Sequence, residues 1–427
     1  MYDLATCDGL SEDHGCTNID KTFDHILMFD AHNAYNNRAD GYGDNDTCNW
    51  PPPYEPTCVN VANHEFTMTD LLNMGVRAFE LDNWWCYGAM RLAHLLTDDA
   101  VGCMDYHRLY ADGIREFADW LEIPENKGEL IRIYMNEKQD QGHDSEINDP
   151  IALFLGDKVI TPKEYNETYN YQWPTMKEMR KHGKNVVIAT ASTAGTGEFY
   201  THGDHYIHRI FWEDIKVKEF TDYPDCGGKT KENHLRFYSD STKYGRAYDG
   251  TKQTGTILDF IEYVKCNIQY PGADQINPDI MKTGVFTWAE GEPKDELTAE
   301  SCVILDGTEK RWYVASSCTE EQFFACQSTE DSHDWVLSTS AGSFNVQETY
   351  CPDGYKFSIP HDGFEQQKLL EAANGVTLWL DYTPWLPGYT PPSTGSPIEP
   401  TTEAASSIAA SSAIIILSII IGILNVI

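Results

Sequence analysis

The sequence predicts an α/β protein: a TIM-type (β/α)8 barrel followed by a small, disulfide-rich, β-rich C-terminal unit. Three observations carry this expectation. Short apolar runs alternate with stretches of helical spacing over about 270 residues, which points to a parallel sheet, and that length suits a closed barrel better than an open sheet. Polar residues collect where the first four apolar runs end, the place where barrels gather their chemistry. Beyond about Glu290 the texture changes to Cys, Trp, Ser and Gly with short apolar runs.

Taken in order, Phe23 to Asn33 is a short apolar strand ending in polar residues. A loop rich in Gly, Asn, Asp and Pro runs from Ala34 to about Glu65, and Cys48 with Cys58 could tie it down. A short helix is expected around Met68–Met74, then the strand Gly75–Trp85, and another strand at Ala89–Leu96. Ile114, Phe117, Trp120 and Leu121 have the spacing of an amphipathic helix over Leu109–Leu121. Strands follow at Leu130–Glu137, Asn185–Ser192, Ile207–Trp212, Leu235–Ser239 and Thr283–Ala289, with helices near Thr175–Lys181 and Ile257–Cys266. A helical period returns only at Glu365–Ala373. The expected organisation is an N-terminal extension (1–22), the barrel (23–290), a stapled accessory unit (291–382), a Pro/Ser/Thr linker (383–407) and an apolar tail (408–427).

Composition narrows the function. A net charge of −36 excludes nucleic acid as a natural partner, because affinity for it comes from Lys and Arg neutralising phosphates. The same charge repels an anionic membrane surface, so a lipid phosphate must be met locally with help from a cation. Twelve cysteines without a paired CxxC spacing favour disulfides and an oxidising compartment over zinc, although the pairings cannot be deduced. Sequons at Asn45 and Asn166 agree with secretion. No signal peptide is visible at Met1-Tyr2-Asp3-Leu4, which fits an incomplete or processed start.

The informative strand is Val76-Arg77-Ala78-Phe79-Glu80-Leu81-Asp82. Residues two apart on a strand share a face, so Glu80 and Asp82 point into one space. Two buried like charges are costly unless a cation or a set of donors holds them. Carboxylate oxygens suit a hard ion such as Ca2+ or Mg2+.

Asp30-Ala31-His32-Asn33-Ala34-Tyr35, then Glu80-Leu81-Asp82, then His94 resemble in order the X region of phosphatidylinositol-specific phospholipase C and its wider barrel superfamily, over roughly residues 23–290. The resemblance implies a (β/α)8 barrel that hydrolyses a phosphodiester. It implies His32 and His94 as the acid/base pair, with Asn33, Glu80 and Asp82 binding a divalent cation, calcium ahead of magnesium. Some bacterial members carry Arg in place of Asp82 and work without metal; Asp puts this chain on the metal-dependent side. One more ligand is expected from the fourth strand. Alternation with Arg132 and Tyr134 favours Asn136, whereas charge favours Glu137, the residue chosen here. His107 is the rival to His94, and Arg132 and Lys138 read as structural or solvated. The implied substrate is a phosphoinositide, a glycosyl-phosphoinositol or a related head group. Alternatives are a glycerophosphodiesterase or phospholipase D-like hydrolase on the same barrel, or an inert cell-surface protein that binds sugar or mediates adhesion.

Trp288 to Cys326 is similar to the end of a C-type lectin-like domain, but Lys294 and Tyr313-Val314 replace the oxygen ligands of its calcium site. The patch is therefore expected to be the last barrel strand leading into the accessory unit. The tail Ile408–Ile427, behind a polar spacer and small residues such as Ser393 or Ala404, fits a glycosylphosphatidylinositol (GPI) attachment signal. That predicts a cell-surface protein held to the membrane through the tail, in an oligomeric state the sequence leaves open.

Overall fold

The computed structural model describes residues 21–42, 62–93, 103–190, 196–202, 213–216, 221–228, 235–238, 260–294, 297–298, 300–344 and 350–382. All of them belong to one compact unit, Met1–Trp385. His94, the expected strand Ile207–Trp212, the Cys48–Cys58 loop, the linker and the apolar tail lie outside the described residues. Among those described, no helix is long and apolar enough to cross a membrane.

Among the described residues nine strands form the first sheet: β1 (Asp30–Ala31), β2 (Ala78–Cys86), β3 (Ala89–Leu92), β4 (Ile131–Gln139), β5 (Val186–Thr190), β6 (Tyr200–His202), β7 (Glu213–Lys216), β8 (Leu235–Tyr238) and β9 (Tyr270–Ala273). Eight are parallel in the order β6-β5-β4-β2-β1-β9-β8-β7. The first strand thus pairs with both the second and the last. No ladder joins β6 to β7 among the described residues, so the observed architecture is a mixed α/β parallel sheet and the expected closure goes beyond it.

Two expectations are corrected. β3 is not a parallel strand: it folds back antiparallel on β2, with Cys86 paired to Ala89 and Asn83 to Leu92. The reversal takes two residues, Tyr87 and Gly88, both at positive φ (48° and 71°), as the right-handed twist of a tight hairpin requires. The disulfide Cys86–Cys103 ties this tip to the approach of the next helix. The last parallel strand is β9, not Thr283–Ala289. Thr283 ends the helix Pro278–Thr283, and Trp288 makes a lone bridge to Trp312. Pro271 and Gly272 inside β9 erase the apolar alternation that marks a strand.

Helices cover the outer face. α1 (Met68–Asn73) opens with a reciprocal cap between Thr67 and Asp70. α2 (Tyr110–Glu122) buries Ile114, Phe117, Trp120 and Leu121, as its spacing predicts. Phe79 of β2 meets Phe117 edge to face at 5.0 Å. Alternation then turns Ala78, Glu80 and Asp82 to the opposite face, away from the helix layer. Ala78 there joins Phe23, Met28, Leu130 and Tyr270 in a separate apolar cluster.

Among the described residues the second sheet has six strands: β10 (Val303–Asp306), β11 (Arg311–Val314), β12 (Phe323–Ser328), β13 (Trp335–Leu337), β14 (Tyr355–Phe357) and β15 (Leu378–Leu380). Their order is β11-β10-β15-β12-β13, with β14 on β12. Disulfides Cys302–Cys318 and Cys326–Cys351 staple it. A fourth disulfide, Cys226–Cys266, belongs to the first sheet's surround. Trp288, Trp312 and Tyr382 pack edge to face in the core of the second sheet. Its helix α3 (Gly363–Ala373) lies against the helix Ile261–Lys265 so closely that a Cβ on Gly363 would stand 2.1 Å from Val264 Cγ1.

Candidate functional site

β1 delivers its polar residues to a buried place. His32 directly follows the strand, and its backbone N–H donates to Ala273 O of β9 at 3.3 Å. Across that junction the imidazole Nδ1 lies 2.9 Å from Asp274 Oδ1, with the carboxylate fully buried. An ionised carboxylate only accepts, so Nδ1 carries the proton and Nε2 is the nitrogen left for proton exchange. Burial alone would raise the Asp274 pKa. The neighbouring His32 and His64 and a hydrogen bond from Asn63 outweigh it and hold the carboxyl below its ordinary value.

Asn33, next in sequence, adopts a left-handed backbone (φ 47°). Its side chain is buried, and neither Oδ1 nor Nδ2 has a hydrogen-bond partner. A buried amide without partners costs free energy, which makes it a position prepared for a ligand. Glu80 and Asp82 stand on the adjacent strand, 2% and 0% exposed. Tyr35 Oη donates to Asp82 Oδ2 at 2.9 Å, so the segment after β1 and the second acid of β2 are in direct contact.

The ladder between β2 and β4 slips by one residue after Leu81. Leu81 pairs with Met135, Asp82 pairs with Glu137, and Asn136 is the extra residue of a bulge. The backbone register therefore sets Glu137 beside Asp82, and Asn136 instead accepts from Tyr134 Oη at 3.0 Å.

These residues supply oxygen donors and no sulfur, a set that suits a hard divalent cation. Among the described residues no group of three or more His, Cys, Asp or Glu stands arranged to hold a metal. The expected set instead counts one amide, Asn33, and Glu137, whose side chain is outside the description. Asn33, with both amide atoms buried and unpartnered, is the feature that fits such an ion.

The other sequence candidates resolve by contact. His107 is stacked on Tyr42 at 4.5 Å, and its Nδ1 accepts from the Met104 N–H, a structural placement. Arg132 is fully buried, its guanidinium 3.7 Å above the Tyr270 ring and 3.8 Å from Asp30 Oδ1. In the ladder it pairs with Ala78, two residues before Glu80. Sequence reasoning missed Asp274, because the strand that presents it goes unread. It also missed His64, whose Nε2 donates to His32 O at 2.8 Å. Burial lowers the His64 pKa from its ordinary value. Glu292 of the lectin-like patch is paired with Lys294 at 3.0 Å and accepts from the Val314 N–H.

No protein-family model matches the chain. Among curated proteins it is similar to maintenance of telomere capping protein 6 of Meyerozyma guilliermondii, 27% identical over 117 residues, 26% of this chain and 20% of that protein. The protein of the same name from Candida albicans (strain WO-1) is 35% identical over 96 residues, 21% of this chain and 15% of that protein. The chain thus spans a fifth or less of these relatives. An uncharacterized protein of Mycobacterium tuberculosis (strain H37Rv) is 22% identical over 365 residues, 75% of this chain and 71% of that one. Among solved structures, a calcium-dependent phosphoinositol-specific phospholipase C from a Pseudomonas species covers 62% of this chain and 93% of its own, at TM-score 0.33 and 14% identity. Phosphatidylinositol-specific phospholipase C from Staphylococcus aureus covers 65% and 98%, at TM-score 0.38 and 15% identity. The lectin-like resemblance is without support.

Proposed function

We propose that this chain is a phosphodiester hydrolase of the phospholipase C type, acting on a phosphoinositide, a glycosyl-phosphoinositol or a related head group, in a closed (β/α)8 barrel. The observation that carries the reading is the buried His32–Asp274 pair, adjacent in sequence to the unpartnered Asn33 and one strand from Glu80 and Asp82.

In this reading His32 Nε2 takes the proton from an attacking hydroxyl of the head group. The hydroxyl oxygen bonds to phosphorus as the bond to the leaving oxygen breaks. Asp274, ionised beneath Nδ1–H, holds the ring's orientation and stabilises the imidazolium that forms. His94 is the candidate acid for the leaving oxygen. Asn33, Glu80, Asp82 and Glu137 would hold a divalent cation, calcium ahead of magnesium, which when bound supplies positive charge beside the phosphoryl oxygens. An oxidising location at the cell surface, with GPI attachment through the apolar tail, accords with the disulfides.

The test is turnover of phosphatidylinositol and of a glycosyl-phosphoinositol, with products identified by phosphorus NMR. A cyclic phosphate is expected from internal attack; phosphatidic acid or free glycerophosphate would move the assignment to the alternative hydrolases. His32→Ala should lower turnover about 10²–10⁴-fold. Glu80→Gln should do the same and remove the response to added Ca2+. Full activity in chelator would sink the cation role, and glycan binding without turnover, unaffected by His32→Ala, would favour the inert adhesion protein.

A further inference from the structure

Asp274 has a second donor that the chemistry above does not use. Asn63 Nδ2 lies 2.7 Å from Asp274 Oδ1, the same oxygen that accepts from His32 Nδ1. Both Asn63 and Asp274 are fully buried. The Asn63 amide is fixed in orientation, because its own Oδ1 accepts from Asn36 Nδ2. Its backbone is fixed as well. Asn63 O accepts from the backbone N–H and from Nε2 of Gln275, each at 2.7 Å, and Gln275 Nε2 also reaches Ala62 O at 2.8 Å. The next residue, His64, donates to the His32 carbonyl at 2.8 Å, and its N–H donates to Asn36 O at 3.1 Å. The short segment Ala62–His64 thus grips both members of the pair, the carboxylate through Asn63 and the backbone of His32 through His64.

We propose that Asn63 is a positioning residue for the His32–Asp274 pair. The proposal rests on the function proposed above. A carboxylate held by one hydrogen bond can pivot about its χ2; a second donor on the same oxygen, itself oriented by Asn36, removes that freedom and locks the ring that faces the reacting atoms. The arrangement is specific in chemistry: Nδ2 donates because Oδ1 is already taken, so the isosteric carboxylate of Asn63→Asp would set two acceptors against each other.

The experiment combines kinetics with proton NMR of the intact protein. A low-field resonance from the His32 Nδ1–H is expected in the wild type and absent in His32→Gln. Asn63→Ala and Asn63→Asp should broaden or abolish that resonance and lower kcat about 10–100-fold while KM stays within about twofold. Where Asn63→Ala fails to fold, Asn36→Ala on the half-buried rim carries the test, with a shifted resonance and a smaller loss in kcat. An unchanged resonance with unchanged kcat, or a loss confined to KM and melting temperature, overturns the proposal. The two readings separate: a resonance lost in Asn63→Ala from a protein with no phosphodiesterase activity upholds the positioning role and refutes the reaction.

Discussion

The two sheets differ in which side chains they enclose. The parallel sheet encloses Asp30, His32, Glu80, Asp82, Arg132 and Asp274, all at most 7% exposed. The smaller sheet encloses Trp288, Trp312, Trp379 and Tyr382 beside two disulfides. Buried charge is expensive even when paired, and replacing it by apolar residues often stabilises a fold. The first sheet therefore carries a polar interior that stability does not call for, while the second is built as a small unit that needs cross-links and aromatic packing to hold. The function proposed above draws on the region that departs from the best-packed solution.

That contrast can be broken in three places. The largest effect is expected at Trp379, fully buried against Phe344 and donating to Gly342 O at 2.9 Å. Trp379→Ala should cost about 3–5 kcal/mol by chemical denaturation, with kcat of the folded fraction unchanged, whereas His32→Ala should do the reverse. A loss of turnover in folded Trp379→Ala would mean the sheets are not separable in role. Next is Gly363, where the added methyl would collide with Val264 at the contact between the two helices. Gly363→Ala should cost about 1–3 kcal/mol, and a second unfolding transition, seen by calorimetry, would show that the helix contact couples the sheets. The smallest effect concerns charge. Lys21 pairs with Asp362 and Glu365 of the second sheet's helix. Burial acts against both charges, but the pairing prevails: Asp362 lies below its ordinary value and Lys21 above it. Asp362 thus contributes stability above pH about 4, lost as pH falls through its lowered value; Lys21 contributes below pH about 10.5, lost as pH rises further. Asp362→Asn keeps a competent helix cap, so it should cost about 1–2 kcal/mol between pH 5 and 9. The difference should vanish in acid melts, and a difference that persists at pH 2 would assign the effect to packing.

Much of this was legible because alternation is a strong signal where strands are regular. Val76 to Asp82 states its own geometry: Phe79 and Leu81 to the helices, Glu80 and Asp82 to the other side. Helix α2 follows from Ile114, Phe117, Trp120 and Leu121 in the same way. What stayed hidden was nonlocal or atypical. Tyr-Pro-Gly-Ala lacks the side chains that announce a strand, so Asp274 had no element to stand on. The fold-back of β3 depends on a two-residue turn without the usual Asn-Gly. His64 and Asn63 sit at the end of a loop with no period, and only the folded chain brings them to His32.

The extra residue in β4 has a consequence for reading any kindred chain. Asn136 is an extra residue in the ladder, so a straight count along the polypeptide assigns Asp82 the wrong neighbour by one place. In an unbulged ladder Asn136 would take the place opposite Asp82 and shift every later pair by one, whereas deleting Asn136 would leave Glu137 directly after Met135 and still opposite Asp82. One looped-out amino acid thus decides which residue stands opposite Asp82.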